Sequence, residues 1–351
     1  MESHKKHILV LTPGFPKDGS DENCIPSLQI FLDDFYKTFD EFKITVIALH
    51  YPPFNSKYLW KKIDIYGCGG NDVAFPKRFK VWKDLFNSAK KIHQEFPISC
   101  VHSFWLGECA YLGSRISKKY KIPHINTLMG QELNESNWYL KFVNLNKIKI
   151  VTLSERQASL FKAKTGKDGT KTIPWGIRSD EKKINELREY DIIGVGSLIP
   201  GKNFEMFVEI VHDIKKVFPN INAAIVGDGT EKEKIRNSII KLNLENNIKL
   251  LGNLNRKDVL NLMGKSKILL HTSKYESFGY ALAEALACGC YVVCGETGFA
   301  KNTNKMFVAA NKDEFIKSIL GLLNSKPDYS PEIPFAINET SEMYKELYDQ
   351  I

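Results

Sequence analysis

Two glutamates with seven residues between them, Glu276 and Glu284, are the side chains of this sequence whose type and spacing most directly suggest chemistry. They lie in the segment HTSKYESFGYALAEALACGCYVV (271–293), and a third acid, Glu296, follows it. The segment reads as an apolar strand, a loop that carries Glu276, and a small-residue helix that carries Glu284. If the helix begins near Phe278, its free N–H groups and its dipole favour a bound anion such as a phosphate.

The spacing of the two carboxylates suits two contacts with one ligand. Glu284 lies about six residues into the helix, roughly 9 Å along its axis, where it can accept hydrogen bonds from a ribose whose phosphates are at the helix start. Glu276, in the loop, is placed to contact a sugar or the phosphate region. The alternative is that Glu284 is a surface residue and that Glu276 only complements the helix dipole. These residues alone leave both interpretations open.

Short apolar runs alternate with segments of helical period along most of the chain. The predicted strands are 7–12, 43–49, 99–104, 124–129, 149–154, 191–197, 222–229, 248–252, 267–273 and 290–295. Strands that are regularly followed by helices predict an α/β protein with parallel sheets. Because the series restarts after a polar stretch at 179–189, we predict two Rossmann-like domains joined by a linker there.

The predicted domains are an N-terminal Rossmann-like domain at 1–180 and a C-terminal Rossmann-like domain at 190–325. A tail at 326–351 is expected to carry a helix that packs back toward the N-terminal domain. Ligands of open parallel sheets bind beyond the carboxyl ends of the strands, and we expect the two sheets to face each other across a cleft. Glycine-containing turns follow predicted strands in TPGFP, GSLIPGKN, VGDGTE and SKYESFG.

Composition excludes several classes of protein. The chain has 351 residues, of which 43% are hydrophobic and 26% charged, as in ordinary globular proteins. No apolar run is long enough to cross a bilayer, and the first residues lack the pattern of a signal peptide, so we expect a cytoplasmic protein. The seven cysteines form no C-x-x-C pair, so neither a zinc site nor a disulfide framework is expected.

The positive charge is concentrated in the first half of the chain. Residues 1–180 hold 27 Lys+Arg and 18 Asp+Glu, and the remaining 22 and 23 of the totals of 49 and 41 fall in 181–351. The segment 76–96 reads as a basic amphipathic helix. Either its apolar stripe packs on the N-terminal sheet and its lysines are solvated, or it contacts an anionic membrane surface. Nucleic acid is not expected, because no recognition module accompanies the charge.

Taken together, these motifs resemble the retaining GT-B glycosyltransferases of family GT4, over residues 7–298 and most specifically over 190–295. The family's carboxylate pair, with Phe-Gly just after the first acid, is matched by Glu276 and Glu284, and EALACGCYVV resembles the family's E-A-x-A-x-G-x-P-V-V. VGDGTE resembles its G-x-G-x-E turn, LLGNLNRKDVLNLM its nucleotide-base loop, and TLSERQASLFKAKTG and TIPWGI the segments that close the N-terminal domain.

The resemblance implies an enzyme that moves a sugar from a nucleotide-sugar donor to a glycan or lipid-linked acceptor, in surface polysaccharide or glycolipid synthesis. It also implies that the domain at 1–180 binds the acceptor and that the domain at 190–325 binds the nucleotide-sugar donor. Retention of anomeric configuration is implied as well, with no metal or other cofactor. A position at the inner face of the cell membrane would fit such an acceptor. The donor-binding residues implied are Gly14, Ser197, Lys202, Gly227, Gly229, Glu276, Ser277, Phe278, Gly279 and Glu284.

The catalytic residues implied or placed nearby are Lys202, Glu276, His102 and Glu132. Lys202 matches the lysine that neutralises the donor diphosphate and stabilises the leaving group. His102 ends a predicted strand and is either a structural residue or one that faces the cleft. Glu132 occupies the family's acidic position near the reacting sugar, and it either orients the acceptor or only starts a helix.

The sequence departs from the family pattern at three positions. Ser197 stands where an Arg is usual, five residues before Lys202; Met129 replaces a His before Gly130; and Tyr291 replaces a Pro. Two alternatives to a glycosyltransferase therefore remain. One is a nucleotide-sugar epimerase of the same fold, and the other is a GT-B-like protein that binds a nucleotide without chemistry.

Overall fold

The structure is a computed structural model that describes residues 5–22, 24–133, 137–181 and 187–351. It divides into two compact units. Unit 1 comprises the described residues up to Gly176 together with Ile337–Ile351, and unit 2 comprises those from Ile177 to Ala336. Residues 182–186 of the predicted linker lie outside the described residues.

The strands of unit 1 form one sheet, which has eight strands within the described residues, in the order β3-β4-β2-β1-β5-β6-β7-β8. Neighbouring strands run parallel except β3, which is antiparallel to β4 at the edge of the sheet. The strands are β1 (Lys6–Gly14), β2 (Phe42–Tyr51), β3 (Asn55–Trp60), β4 (Ile63–Cys68), β5 (Cys100–Phe104), β6 (His124–Thr127), β7 (Lys149–Thr152) and β8 (Lys171–Thr172).

The sheet of unit 2 is parallel and follows the order β11-β10-β9-β12-β13-β14 within the described part of the chain. Its strands are β9 (Tyr190–Val195), β10 (Ala223–Val226), β11 (Ile248–Gly252), β12 (Ser266–His271), β13 (Tyr291–Cys294) and β14 (Met306–Val308). This is the doubly wound order, which reverses direction between β9 and β12 and creates a crevice there.

Helices cover both faces of each sheet, as parallel strands require. They are α1 (Pro26–Thr38), α2 (Arg78–Glu95), α3 (Glu108–Tyr120), α4 (Glu155–Thr165), α5 (Phe204–Lys215), α6 (Lys232–Lys241), α7 (Arg256–Gly264), α8 (Tyr280–Ala287), α9 (Lys312–Leu323) and α10 (Ile337–Asp349). In unit 2, α7 and α8 pack on one face of the sheet, and α5, α6 and α9 pack on the other.

The predicted α/β alternation with parallel sheets is confirmed, and each of the ten predicted strands is present. The sequence missed β3, β4, β8 and β14. β8 and β14 have two and three residues, which is too short for periodicity to register. β3 is an edge strand with exposed and half-buried residues, so its sequence lacks the apolar content of a buried parallel strand.

The helix expected in the tail at 326–351 begins at Ile337, and α10 packs within unit 1 against α1. Tyr344 and Tyr348 of α10 are fully buried. Their rings lie 4.5 Å from Phe31 and 5.4 Å from Phe35, centroid to centroid. Burying two such side chains stabilises the fold by roughly 1.5–3 kcal/mol each, so the end of the chain is an integral part of unit 1.

Within the described residues, no helix combines the length and the apolar character needed to cross a membrane. The seven cysteines are free, and those other than Cys24 are buried. They therefore act as small apolar residues of the core.

Candidate functional site

The loops after β9 and β12 meet at the crevice of unit 2, at the point where the strand order reverses. Two hydrogen bonds join the loops: the backbone Lys274 N donates to Gly201 O at 3.0 Å, and the side-chain Thr272 Oγ1 donates to Lys202 O at 3.1 Å. The side chains of Lys202 and Glu276 form an ion pair across the same junction. The structure thus brings together two residues that lie 74 positions apart.

Glu276 is a half-buried carboxylate held by two partners. His271 Nε2 lies 3.0 Å from Glu276 Oε1, and Lys202 Nζ donates to the same oxygen. Burial alone raises the pKa of Glu276, but the hydrogen bond from His271 and the charge of Lys202 outweigh it and lower the pKa to about 2. Glu276 is therefore ionised at neutral pH and available as a hydrogen-bond acceptor.

The glycine turns after β9 and β10 pack directly on each other. Gly196 N donates to Val226 O at 3.0 Å, and Leu198 N donates to Asp228 O at 2.9 Å. A Cβ on Gly227, whose φ is +146°, would lie 1.9 Å from Gly196 O. Only glycine allows this approach, so the turn that the sequence assigned to donor binding also has a packing requirement.

Residues 197 and 202 follow β9, which flanks this crevice, and residues 227 and 229 follow the neighbouring strand β10. Ser197 is exposed and Lys202 is half-buried. Gly229 approaches Leu198 O so closely that a Cβ would lie 2.5 Å away. The donor-binding roles of these residues stay predictions, but their common location at the carboxyl edge is what such a role requires.

Helix α8 begins two residues later than expected, at Tyr280 rather than near Phe278. Gly279 precedes it with φ +86°, a left-handed conformation that favours glycine. The Phe278 side chain is buried and its ring packs against Phe299 and Phe335, with centroids 5.0 Å and 5.6 Å away. Its side chain therefore belongs to the core and not to a donor contact. Ser277 is half-buried in the same loop.

Glu284 lies in the second turn of α8, and it is 8% exposed. Its Oε1 lies 2.9 Å from Nε and 2.8 Å from Nη2 of Arg256. Arg256 is the first residue of α7, directly after the N-cap Asn255, whose Oδ1 accepts from Asp258 N at 2.9 Å. The interpretation of Glu284 as a residue of the solvated surface is wrong, since the side chain is enclosed and paired with a cation.

Of the two interpretations of His102, the structure supports the structural one, and the predicted catalytic role is corrected. The side chain is fully buried in unit 1, with Nδ1 2.6 Å from Tyr348 Oη and Nε2 2.9 Å from Thr127 Oγ1. Burial lowers the pKa of His102 to about 3. Because both ring nitrogens are bonded inside the core and the ring faces α10, His102 is a structural residue.

Glu132 is buried, and its carboxylate holds a turn of unit 1. Oε1 lies 2.5 Å from Met129 N and 3.4 Å from Leu106 N, and Oε2 accepts from Gly130 N. Burial raises the pKa of Glu132, while these backbone hydrogen bonds act in the opposite direction. These contacts give Glu132 a structural role in the turn. It also lines a cavity of unit 1, so the interpretation that it orients an acceptor stays a prediction. Gly14 ends β1, where it is buried beside Tyr51.

A cavity of about 510 Å³ opens in unit 1 at the carboxyl ends of its central strands. The carboxylate of Glu108, in the lining of this cavity, contacts three other side chains. Its Oε2 lies 2.9 Å from His50 Nε2 and 3.4 Å from Arg78 Nη1, and its Oε1 accepts from Trp82 Nε1. Burial raises the pKa of Glu108, but these donors and charges outweigh it and leave the pKa lowered. Sequence patterns did not indicate this cluster, since its members lie on separate elements.

Two further features of the cavity are typical of a binding site. His50 Nδ1 is buried without a hydrogen-bond partner among the described residues, and the nearest carboxylate oxygen, on Asp72, is 3.7 Å away. Trp105, in the lining, has φ +70°. A bulky residue rarely adopts that conformation, and such strain is concentrated at functional sites.

Within the described part of the chain, no group of three or more His, Cys, Asp and Glu side chains is arranged to hold a metal ion.

Residues 177–331 match the protein family described as "Glycosyl transferases group 1". The matched residues lie within unit 2 and extend over nearly all of it, so the similarity to this family is a property of that unit. An uncharacterized glycosyltransferase of Methanocaldococcus jannaschii is 28% identical over 65% of this chain and 65% of its own length. One component of human phosphatidylinositol N-acetylglucosaminyltransferase is 26% identical over 44% of this chain and 32% of its own length. The chain thus spans less than two thirds of either relative.

The solved structure of Anabaena HepE in complex with UDP has a similar fold, with a TM-score of 0.74 and 16% identity over 99% of this chain and all of that one. At that identity the likeness concerns the fold alone. It agrees with the GT-B fold, with two α/β units, that the sequence predicted.

The group 1 glycosyltransferase domain contains most of the predicted donor residues, from Ser197 to Glu284, while Gly14, His102 and Glu132 lie in unit 1. Sequence reasoning missed His271 and Arg256, the partners of the two glutamates. Arg256 lies in the segment that resembles the nucleotide-base loop, and His271 ends the strand before Glu276. Both residues lie within or beside segments that resemble the family, but neither occupies a position that the family pattern specifies.

Proposed function

We propose that the protein is a group 1 glycosyltransferase that transfers a sugar from a nucleotide-sugar donor to a hydroxyl group of an acceptor. The observation that carries the proposal is the convergence of Lys202 and Glu276 beside the start of α8, with the Glu284–Arg256 pair one turn further along. A cation, a helix N-terminus and two carboxylates in one crevice suit a ligand that joins a diphosphate to two sugar rings.

Each group has a distinct part in the proposed donor complex. Lys202 and the N–H groups at the start of α8 bind the diphosphate. Glu276, ionised and oriented by His271, accepts hydrogen bonds from hydroxyls of the transferred sugar. Glu284, oriented by Arg256, accepts from the ribose. In this arrangement the diphosphate replaces Glu276 as the anionic partner of Lys202.

In the reaction, the bond between the anomeric carbon and the donor phosphate oxygen breaks, and the electron pair leaves with the nucleoside diphosphate. A bond forms between that carbon and the acceptor oxygen, whose proton passes to the leaving phosphate. Lys202 stabilises the charge that develops on the phosphate. Attack on the face from which the phosphate leaves gives retention, which NMR of the product linkage tests directly.

The reaction is proposed to need no metal ion, because Lys202 and the helix N-terminus supply the positive potential that a metal would otherwise provide. Unchanged turnover after chelation with EDTA is the expected result, and recovery only on addition of Mg²⁺ or Mn²⁺ contradicts it.

The acceptor is proposed to bind in the cavity of unit 1, where Glu108, His50 and Trp105 offer hydrogen-bonding groups and an aromatic surface. Such a lining suits the hydroxyls and the apolar face of a sugar ring better than it suits a phosphate, since the one arginine of the lining, Arg78, already faces Glu108. A glycan or lipid-linked sugar in surface polysaccharide or glycolipid synthesis fits this site. The human relative is named for transfer to phosphatidylinositol.

The segment 76–96 is proposed to contact an anionic membrane surface from the cytoplasmic side. Its apolar stripe is not available for this, because Val81, Leu85, Ala89 and Ile92 of α2 are buried in unit 1. The exposed lysines of the segment remain, and they support an electrostatic contact worth about 1 kcal/mol each near an anionic surface.

The test is a thermal-shift and donor-hydrolysis screen across UDP-, GDP- and ADP-sugars, with UDP-sugars first because the structurally similar HepE binds UDP. One nucleotide is expected to stabilise the wild type and to lose most of this effect in Glu284→Ala. Glu245→Ala, which removes an exposed acid of the same unit, is the matched control and should behave as wild type.

Other outcomes of the screen identify the alternatives. Isomerised free donor without transfer would indicate an epimerase. Stabilisation by a nucleotide without hydrolysis, and without transfer to any of a panel of glycan and lipid-linked acceptors, would indicate a binding protein. Equal stabilisation of the wild type and Glu284→Ala would remove Glu284 from the ribose contact.

A further inference from the structure

Four aromatic side chains form a contiguous exposed cluster on unit 1, here called the aromatic patch: Phe75, Phe79, Trp138 and Phe142. Their exposed fractions are 46%, 57%, 42% and 61%. The ring centroids of Phe75 lie 5.5 Å from Phe79 and 6.0 Å from Trp138, and Trp138 lies 5.5 Å from Phe142. Two segments separated by about sixty residues in sequence thus build one apolar surface.

The core of unit 1 does not require this patch. The helix α2 already places its apolar stripe inside, and Phe79 lies off that stripe. Scattered exposed apolar residues are normal, but a contiguous exposed patch marks a surface that meets an apolar partner. Leu59 in the same unit is 69% exposed, so exposure alone does not set the patch apart; the mutual ring contacts do.

Exposed lysines surround the patch in sequence. Lys77, Lys80 and Lys83 lie within four residues of Phe79, and Lys141 precedes Phe142; all four are exposed. Aromatic rings with lysines beside them are typical of surfaces that lie at the level of lipid headgroups. There the rings enter the boundary with the acyl chains and the lysines contact lipid phosphates. A protein partner would not require this concentration of one charge.

The patch adjoins the cavity of unit 1. Trp138 stacks on Tyr139, with centroids 4.0 Å apart, and the Arg78 guanidinium lies 5.9 Å from the Phe75 ring. Tyr139 and Arg78 both line the cavity, and they are joined by a hydrogen bond of 3.2 Å. The rim of the cavity and the edge of the patch are therefore built from adjacent side chains.

We propose that the aromatic patch inserts into the headgroup region of an anionic lipid bilayer and holds the mouth of the unit 1 cavity at the membrane surface. The proposed insertion goes beyond the electrostatic contact of 76–96, because aromatic rings from two segments of the chain enter the bilayer. The membrane contact does not depend on the proposed reaction. Only the consequence that the cavity receives a lipid-anchored acceptor rests on the proposed function.

The test is sedimentation of the whole protein with vesicles of pure phosphatidylcholine and of phosphatidylcholine with phosphatidylglycerol. The wild type is expected to bind the anionic vesicles. Phe79→Ser/Phe142→Ser should bind at least about tenfold more weakly, since removal of two rings forfeits their transfer into the interface. The matched control Leu59→Ser/Ile240→Ser removes two exposed apolar residues elsewhere and should bind as wild type.

Lysine variants separate charge from insertion. Lys80→Gln/Lys83→Gln/Lys141→Gln should lose the preference for anionic vesicles, by about fivefold for each lysine. The tryptophan fluorescence of the protein should shift to the blue with anionic vesicles. Part of the shift should disappear in Trp138→Ser. Two results together would show a purely electrostatic contact and overturn insertion: wild-type binding that vanishes completely at high salt, and a phenylalanine variant that binds anionic vesicles with the same affinity as the wild type.

The remaining outcomes also decide the matter. If the wild type binds neither kind of vesicle, the proposal is overturned. It is also overturned if the wild type self-associates and the phenylalanine variant does not, because the patch would then bind a second copy of the chain. Circular dichroism and a melting curve show whether each variant is folded. Donor hydrolysis in the absence of vesicles should be unchanged in the phenylalanine variant. Vesicle binding by a wild type without any hydrolysis would contradict only the proposed function.

Discussion

Arg256 and Glu284 are joined by a paired contact in which Nε and Nη2 of the guanidinium lie 2.9 Å and 2.8 Å from one carboxylate oxygen, Oε1. The two residues belong to different helices, α7 and α8, and both side chains are largely buried. A guanidinium fixed in this way sets the direction of the carboxylate. The contact therefore determines where Glu284 presents its oxygens to a ligand.

We expect Arg256→Ala to weaken nucleotide binding although Arg256 is not assigned a ligand contact. Its loss removes the cation that pairs with the largely buried Glu284 carboxylate, and a charge-assisted hydrogen bond contributes about 1.5–3 kcal/mol. Affinity should fall by roughly tenfold to a hundredfold, measured by calorimetry. Arg256→Lys should recover little, because lysine lacks the planar fork. Wild-type affinity in both variants would contradict this role.

Lys202→Ala should lower the rate of donor turnover much more than donor affinity. The ammonium acts mainly on the charge that the leaving phosphate gains as the bond breaks, and removal of one such group typically costs a factor of about 10²–10³ in kcat. Lys202→Arg should retain part of the rate. The exposed Lys241 provides the control: Lys241→Ala should turn over donor at the wild-type rate. A KM effect alone would show that Lys202 only binds the ground state.

His102 makes the stability of the protein depend on pH. Its pKa is about 3 when folded and about 6.5 when unfolded, so the unfolded chain takes up the proton first as the pH falls. The stability that a neutral His102 provides is complete above pH 6.5. Below it, the free energy of unfolding should fall by about 1.4 kcal/mol per pH unit from this residue until the pH nears 3.

His102→Gln should abolish this contribution, so that the stability difference between wild type and variant narrows as the pH falls from 7 to 5 in urea unfolding. The kcat of donor hydrolysis, measured where both proteins are folded, should stay at the wild-type value. A large loss of kcat without a loss of stability would restore the catalytic role that the structure contradicts.

Gly227→Ala should destabilise the protein, because φ +146° is strained for alanine and the new Cβ would lie 1.9 Å from Gly196 O. Strain of this kind costs about 1–3 kcal/mol, and the collision adds to it. Gly321→Ala is the control, since no atom lies within 4 Å of its Cβ position in α9. That change should be neutral or stabilising by about 0.5–1 kcal/mol. Melting curves of the two variants decide the comparison.

The sequence predicted the buried strands well, because a strand covered on both faces carries a run of apolar residues that no surface segment needs. It missed β3, whose half-exposed residues carry no such run. It also placed the start of α8 two residues early, at Phe278. The Phe278 side chain packs into the core before the helix begins. The start of α8 is set by the left-handed backbone conformation of Gly279, which the periodicity of side chains does not reveal.

The candidate site was predictable where its residues are close in sequence. Glu276, Gly279 and Glu284 are carried by one strand-loop-helix segment, and the local period is sufficient to place them. Their partners Lys202 and Arg256 come from the loop after β9 and from the start of α7. The pairing with each glutamate depends on strand order, which a single sequence does not encode locally. The cluster around Glu108 shows the same limit, since His50, Arg78 and Trp82 reach it from separate elements.

The amino-acid sequence by itself determined the α/β alternation, the glycine turns after the strands and the spacing of Glu276 and Glu284, because these are local patterns of side-chain period and backbone freedom. Only the tertiary structure decided which charges are neutralised and which side chains face solvent. It buried His102 beneath α10 and left the aromatic patch uncovered, although the local pattern of neither segment reveals the difference. Burial and pairing are properties of the packed chain, since the partner that covers a side chain is distant in sequence.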